Sequence, residues 1–173
     1  QGEVLVLDEV AMGMGRTGTM FACDREDVEP DILATAKMLT GGYLPLSATL
    51  TSNEIYEAFK GPPEEGKTFF HGHTFTGNQL GCAAALATLD IFEKEPVLDR
   101  VRDRSGFFAE QLGRLEEFPW VGEVRQRGLA VGVEMVSNPE TREGFDAADR
   151  VSQQVCQVAQ EEGVFLRPLG DVI

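Results

Sequence analysis

Residues 4–7, Val-Leu-Val-Leu, form a short uninterrupted apolar run closed by two carboxylates, Asp8 and Glu9. A run this short, without polar alternation, suits a strand buried on both faces. Such strands belong to parallel or mixed sheets covered by helices, so the feature directs the chain toward an α/β fold. It also sets an acid where open α/β sheets take ligands, in the crevice outside the carboxyl ends of the strands.

The following pattern agrees. Residues 11–31 carry Gly13, Gly15, Gly18 and Pro30 among polar residues and read as an extended loop. Residues 32–39 are a short apolar segment ending at Gly41-Gly42, and 46–50 read as a second strand. Residues 53–60 predict a helix with Ser52 or Asn53 as N-cap, 61–66 a surface loop, and 77–94 a long Ala-rich helix closed by Pro96. Beyond residue 95 the pattern changes. Residues 97–115 are amphipathic at helical spacing, 121–136 predict strands around a turn at Gly128, 145–161 another helix ended by Gly163, and 164–166 the start of a last strand. The reading is α/β in two parts, 1–95 and 96–173.

Charge excludes some functions. Residues 1–95 carry 6 Lys and Arg against 15 Asp and Glu, net −9, and residues 96–173 carry 9 against 14, net −5. Neither part offers the clustered cations that nucleic acid or an anionic membrane surface requires, so neither is expected as a partner. No apolar run approaches the roughly 20 residues that span a bilayer. Cys23, Cys82 and Cys156 form neither a disulfide framework nor a CxxC pattern, and a reducing, cytoplasmic compartment is the natural expectation. The sequence opens without Met on a strand pattern and stops inside an apolar run, so the expectation is an internal piece of a longer polypeptide, against a domain with strands at both termini.

Three motif matches fail on physical grounds. Gly13-Met-Gly15-Arg-Thr-Gly18 fits GxGxxG, but no helical stripe follows to hold a pyrophosphate at its N-terminus. Gly61-Pro-Pro-Glu-Glu-Gly66-Lys67-Thr68 fits a P-loop, the basis of an alternative ATPase reading. Yet Pro62 and Pro63 have no N–H to offer a phosphate, and Glu64 and Glu65 would repel it. His71 and His73 could share a metal, but no nearby Cys, Asp or Glu completes a site, and Cys82 reads as helix core. No metal is expected.

Lys37 and Asp8 remain. Lys37 lies among Ala34, Ala36, Met38 and Leu39, surroundings that favour the neutral amine that makes Schiff bases; a snorkelling surface lysine is the alternative. Asp8 stands 29 residues earlier at a strand end, either facing the crevice or serving as a structural acid. An acid and a lysine so spaced fit a pyridoxal phosphate enzyme, where the acid keeps the pyridine nitrogen protonated and the lysine holds the aldehyde.

At these residues the chain resembles a known family. VLVLDEVAMGMGRTGTMFACDREDVEPDILATAKMLTGGYLPLSATL, then TFFHGHTFTGNQLGCAAALATLDIFE and the closing LRPLGDVI, resemble the class III (ω-)aminotransferases, in the branch serving biotin biosynthesis. The resemblance implies part of a fold type I enzyme: the C-terminal part of the large mixed-sheet domain in 1–95 and most of the small α+β domain in 96–173. It implies a pyridoxal 5'-phosphate cofactor, small-molecule substrates and a homodimer with composite active sites. It assigns Asp8 to the pyridine nitrogen, Val10 to a ring face, and Lys37 to the Schiff base and proton transfer. It assigns Thr74, with Gly72 and His73, to the phosphate of the neighbouring subunit's cofactor, and Arg16 and Arg167 to the substrate, Arg167 to a keto-acid carboxylate. Thr74 as a helix N-cap, Arg16 in a loop-ordering ion pair and Arg167 paired with Asp171 are the alternatives. The chain departs from the family at Met12-Gly-Met14-Gly, often Thr-Gly-Phe-Gly, and at Gln79, often proline. The resemblance further implies a preceding segment of more than 200 residues, without which these residues should not be a competent enzyme. An ornithine, 4-aminobutyrate or polyamine aminotransferase, and a non-catalytic relative, stay open.

Overall fold

A computed structural model describes residues 2–173, which form two compact units, one ending at Val101 and the other spanning Arg102–Ile173. In the first, β1 (Val6–Asp8), β2 (Ile32–Thr35) and β3 (Ala48–Thr51) make a mixed sheet in the order β1-β2-β3. β1 runs parallel to β2 with Asp8 beside Ala34, and β2 antiparallel to β3 with Thr35 beside Ala48. Val4, Leu5 and Val6 are exposed. The expected burial on both faces is not met, and β1 is an edge strand, with β2 its only partner among the described residues.

The connection between the parallel strands is not extended, as the glycines suggested, but tightly folded. It contains a single 3-10 turn, Ala22–Glu26, and no α-helix. Met14, 3% exposed at φ 56°, sinks into a core with Leu39 and Ala85, which Met20, Leu46, Ala48 and Phe92 flank. Arg25 donates to the Thr17 carbonyl at 2.8 Å and the Cys23 amide donates to Glu9 Oε1 at 2.9 Å. These contacts satisfy loop groups whose burial unpaired would cost about 1–3 kcal/mol each.

Helix α1 (Asn53–Ala58) starts at Ser52, whose Oγ accepts from the Ile55 amide at 3.4 Å, which decides between the two expected caps. Helix α2 (Gln79–Lys94) starts two residues later than expected, because Asn78 caps it: Oδ1 accepts from the amides of Leu80 at 2.9 Å and Gly81 at 3.3 Å. Ala85 is its buried contact with the core, whereas Cys82 is exposed rather than in the helix core. Helix α3 (Val97–Leu112) leads from the first unit into the second and ends in a 3-10 turn, Gly113–Glu117.

In the second unit β4 (Val121–Arg127) and β5 (Ala130–Met135) form the expected hairpin, turning at Gly128 with φ 61°. The expected strand at 164–166 is absent. Instead Ile173 exchanges both backbone hydrogen bonds with Val133, at 2.7 and 2.9 Å, and Met135 donates to the Asp171 carbonyl at 2.8 Å. The chain therefore adds to β5 a few residues later than the apolar pattern implied. Helix α4 (Val151–Glu161) is shorter than predicted, since Asp146 caps a separate 3-10 turn, Ala147–Asp149. Ser152 and Cys156 are its buried residues, and Ser152 Oγ donates to the Gly170 carbonyl.

Candidate active site

Because β1 and β2 are parallel, their carboxyl ends lie together. Asp8 is the last residue of β1, and Lys37 follows Thr35, the last of β2, by two positions. Lys37 opens a 3-10 turn, Lys37–Thr40, in the left-handed region at φ 43°. For a residue with a Cβ that conformation costs about 1–3 kcal/mol and persists only where the surroundings impose it. Here Leu39 and Thr40 are buried, the Leu39 amide donates to the Ala36 carbonyl and the Gly41 amide to the Met38 carbonyl, each at 2.9 Å. Thr40 Oγ1 closes the following turn on the Leu44 carbonyl.

Lys37 itself is exposed, not enclosed by the apolar neighbours that its sequence context suggested. Leu39 goes into the core, while Lys37 faces a cleft of about 1200 Å³ that Ala36 and Met38 also line. Leu44, Pro45 and Leu46 line it together with His73, Phe75 and, at the α2 start, Asn78, Leu80 and Gly81. The α2 end of the cleft carries the partial positive charge of a helix N-terminus.

His73 enters the cleft through a turn in which its amide donates to Thr76 Oγ1 at 3.2 Å and its carbonyl accepts from the Thr76 amide at 3.0 Å. Gly72 and Thr74 flank it, exposed and outside the lining. Thr74 is not the cap of α2, a position Asn78 holds. His71 stacks on Phe69, ring centres 5.4 Å apart.

Asp8 accepts from the Val10 amide at 2.9 Å through Oδ1, and Val10 is half-buried. Arg16 donates through Nε to the Ala11 carbonyl at 2.7 Å, ordering its own loop by a hydrogen bond rather than an ion pair. Arg167 lies in the second unit, exposed. It has no ion pair with Asp171, whose carboxylate lies against Gly144, 2.6 Å from where a Cβ there would stand. The first unit thus brings Asp8, Val10 and Lys37 to one sheet end and His73 into the cleft, and turns Arg16 into its loop.

Sequence reasoning passed over Asn78 and Thr76, although an Asn directly before an Ala-rich helix is a cap signal. It also passed over Glu9, which is buried beside Cys23. Partial burial, with the Glu9 and Asp24 carboxylates nearby, pushes the Cys23 thiol up. The P-loop match is an exposed 3-10 turn, Pro63–Glu65, with Lys67 paired to Glu65 at 2.6 Å, and it offers no phosphate cradle.

The whole chain, residues 1–173, matches the family described as aminotransferase class-III, and it belongs to that family. It is 52% identical over 170 residues to the adenosylmethionine-8-amino-7-oxononanoate aminotransferase of Geobacter sulfurreducens, covering 98% of this chain and 38% of that protein. The enzyme of the same name from Anoxybacillus flavithermus is 51% identical, with 98% and 37% covered. The crystal structure of the Methanocaldococcus jannaschii enzyme of that name superimposes with a TM-score of 0.93 at 49% identity, over 98% of this chain and 40% of that one. A PMP-bound aminotransferase from Vibrio fluvialis matches with a TM-score of 0.90 at 32% identity, over 98% and 37%. The chain spans less than half the length of these relatives.

Class III aminotransferases are pyridoxal phosphate enzymes. The first unit has two of the groups such a cofactor needs at one sheet end: an amine facing an apolar-walled cleft and a carboxylate at the neighbouring strand end.

Proposed function

We propose that the protein to which this chain belongs transfers an amino group to 8-amino-7-oxononanoate, giving 7,8-diaminononanoate for biotin synthesis. The names of its relatives support adenosylmethionine as donor; lysine is the alternative that a donor assay separates. Residues 1–95 form the C-terminal part of the large cofactor-binding domain and 96–173 most of the small one. The single observation that carries the reading is Lys37, held in a strained left-handed turn at the carboxyl end of a parallel strand pair, facing the cleft, with Asp8 on the adjacent strand.

When bound, pyridoxal phosphate supplies an aldehyde for the amine and a protonated ring that withdraws electrons from the substrate carbon. Asp8 keeps the ring nitrogen protonated by opposing its positive charge. Val10 packs on the ring face. Lys37 Nζ would hold the aldehyde and would be the base that moves the proton at the reacting carbon. Thr74 Oγ1, with the His73 and Gly72 backbone, binds the phosphate of the neighbouring subunit's cofactor in a homodimer. Arg16, its Nε held by the Ala11 carbonyl, would reach the substrate only through its terminal N–H groups, and Arg167 would present its planar fork to the keto-acid carboxylate. Donor and acceptor use one site in turn, so the kinetics are ping-pong.

The test is the visible spectrum of the full-length protein. A yellow band is expected, which borohydride fixes as a covalent adduct mapping to Lys37. A band fixed elsewhere, or none, refutes the reading.

A further inference from the structure

Among the described residues two buried polar side-chain atoms have no hydrogen-bond partner, Glu9 Oε2 and Thr35 Oγ1. Glu9 is 4% exposed and Thr35 3%. An orphaned buried polar group is costly, so two in one small unit call for a physical reason. They are also neighbours. Asp8 lies beside Ala34 in the parallel pair, and the Glu9 amide donates to the Ala34 carbonyl at 2.8 Å, extending the ladder by one residue. Glu9 therefore stands beside Thr35, and residues so paired project from the same face of a sheet. That is the face of Ala48, which lies opposite Thr35 and packs against the Met14, Leu39 and Ala85 core. The two orphans are complementary, since a carboxylate oxygen accepts and a hydroxyl donates.

We propose that Glu9 and Thr35 form a buried positioning pair, the Thr35 hydroxyl donating to Glu9 Oε2 through one ordered water, that fixes Asp8 and Lys37 relative to each other. Neither lines the cleft, so both act through their neighbours. Glu9 follows Asp8, and Thr35 precedes Lys37 by two residues. Glu9 Oε1 already holds the Cys23 amide, so one carboxylate ties together the end of β1, the loop behind it and the end of β2. The strained backbone at Lys37, with Ala36 at φ −161° and ψ −147° before it, starts directly from this tie. The positioning role rests on the function proposed above; the hydrogen bond itself does not.

The experiment compares Thr35→Val, nearly isosteric but without a donor, with Thr35→Ser, which restores one, in the full-length protein. In cofactor-free protein, Thr35→Val should speed exchange of the Cys23 amide hydrogen by about fivefold or more, because the Glu9 carboxylate loses its second anchor. In loaded protein it should move the pH midpoint of the visible band and lower kcat by about tenfold with KM within about twofold, the pattern of misplaced reacting groups. Thr35→Ser should return all three toward wild type. A Thr35→Val protein that melts lower yet keeps wild-type Cys23 exchange and the wild-type spectral midpoint overturns the proposal. Thr35→Ala, which removes the hydroxyl without adding a methyl, is read in the same way if the valine does not fold. A wild-type protein with no borohydride-fixable band sinks the lysine reading instead, and amide exchange then still decides whether the pair exists.

Discussion

Lys37→Gly and Lys37→Ala both remove the amine, so a difference between them reports on the backbone alone. At φ 43° a residue with a Cβ carries about 1–2 kcal/mol of steric cost that glycine avoids. The freer unfolded chain of glycine takes back about 0.4–1 kcal/mol. The glycine variant should therefore be the more stable by about 0.5–1 kcal/mol, the difference of those terms. Lys37 is exposed, so lost packing contributes little to either variant. Urea unfolding of the cofactor-free full-length variants measures the difference. With a slope of about 1–3 kcal/mol/M, the midpoint should rise by a few tenths molar in glycine over alanine. Neither variant should transaminate. An alanine midpoint equal to or above that of glycine would mean that the left-handed turn is not imposed on residue 37. The argument that buried Leu39 and Thr40 hold it there would then fall.

Asp8→Asn should leave the melting temperature unchanged while raising the transamination barrier by roughly 2–4 kcal/mol, the scale of one lost electrostatic contact; a change below about threefold in kcat would make Asp8 structural. Mixing inactive Thr74→Ala and Lys37→Ala dimers should restore some activity through hybrid dimers with one intact composite site, and no recovery after demonstrated subunit exchange would remove Thr74 from the partner's site. Gly122→Ala would put a Cβ 2.6 Å from Val136 Cγ1, a buried atom with nowhere to move, so thermal unfolding should show destabilisation. Overpacking of this kind costs about 1–3 kcal/mol, and an unchanged melting curve would contradict the tight packing of β4 on Val136. Arg167→Ala should weaken the keto-acid half-reaction by about 2–4 kcal/mol and the donor half-reaction much less, as measured in single turnovers; equal losses with a lowered melting point would refute the substrate role.

Much of this was legible in the sequence because the signals are local. An apolar run with an acidic end marked β1, Gly128 between two Val-rich stretches marked the hairpin, and Pro96 marked the end of α2. Asn78, directly before an Ala-rich helix, is as local a signal for the α2 cap. What escaped depends on distant partners. Nothing near Met14 says that it reaches Leu39 and Ala85, so its loop read as extended. Apolar neighbours in the sequence suggest an enclosed lysine because linear context cannot show a chain reversal that sends Leu39 inward and Lys37 outward. Val164-Phe-Leu166 is the more apolar of the two C-terminal stretches, yet Val133 commits both backbone groups to Ile173, a partner that linear context does not show.

The sheet that carries the site is closed by two loops of unequal length, residues 9–31 between β1 and β2 and residues 36–47 between β2 and β3. In chain statistics the difference is small, since doubling a loop raises the entropy of bringing its ends together by only about 0.6 kcal/mol. A few residues inserted at an exposed point of either loop would therefore cost little in closure. The longer loop is held to its length by what it touches. Its Gly15 sits under Phe92 and Leu98, where a Cβ would come within 3.1 and 3.2 Å. Its Cys23 must arrive where Glu9 can accept its amide. Tolerance to insertion should thus vary residue by residue within a single connection. It should be lowest at the two anchor points and highest at exposed positions such as Glu26 to Glu29, which lie beyond them.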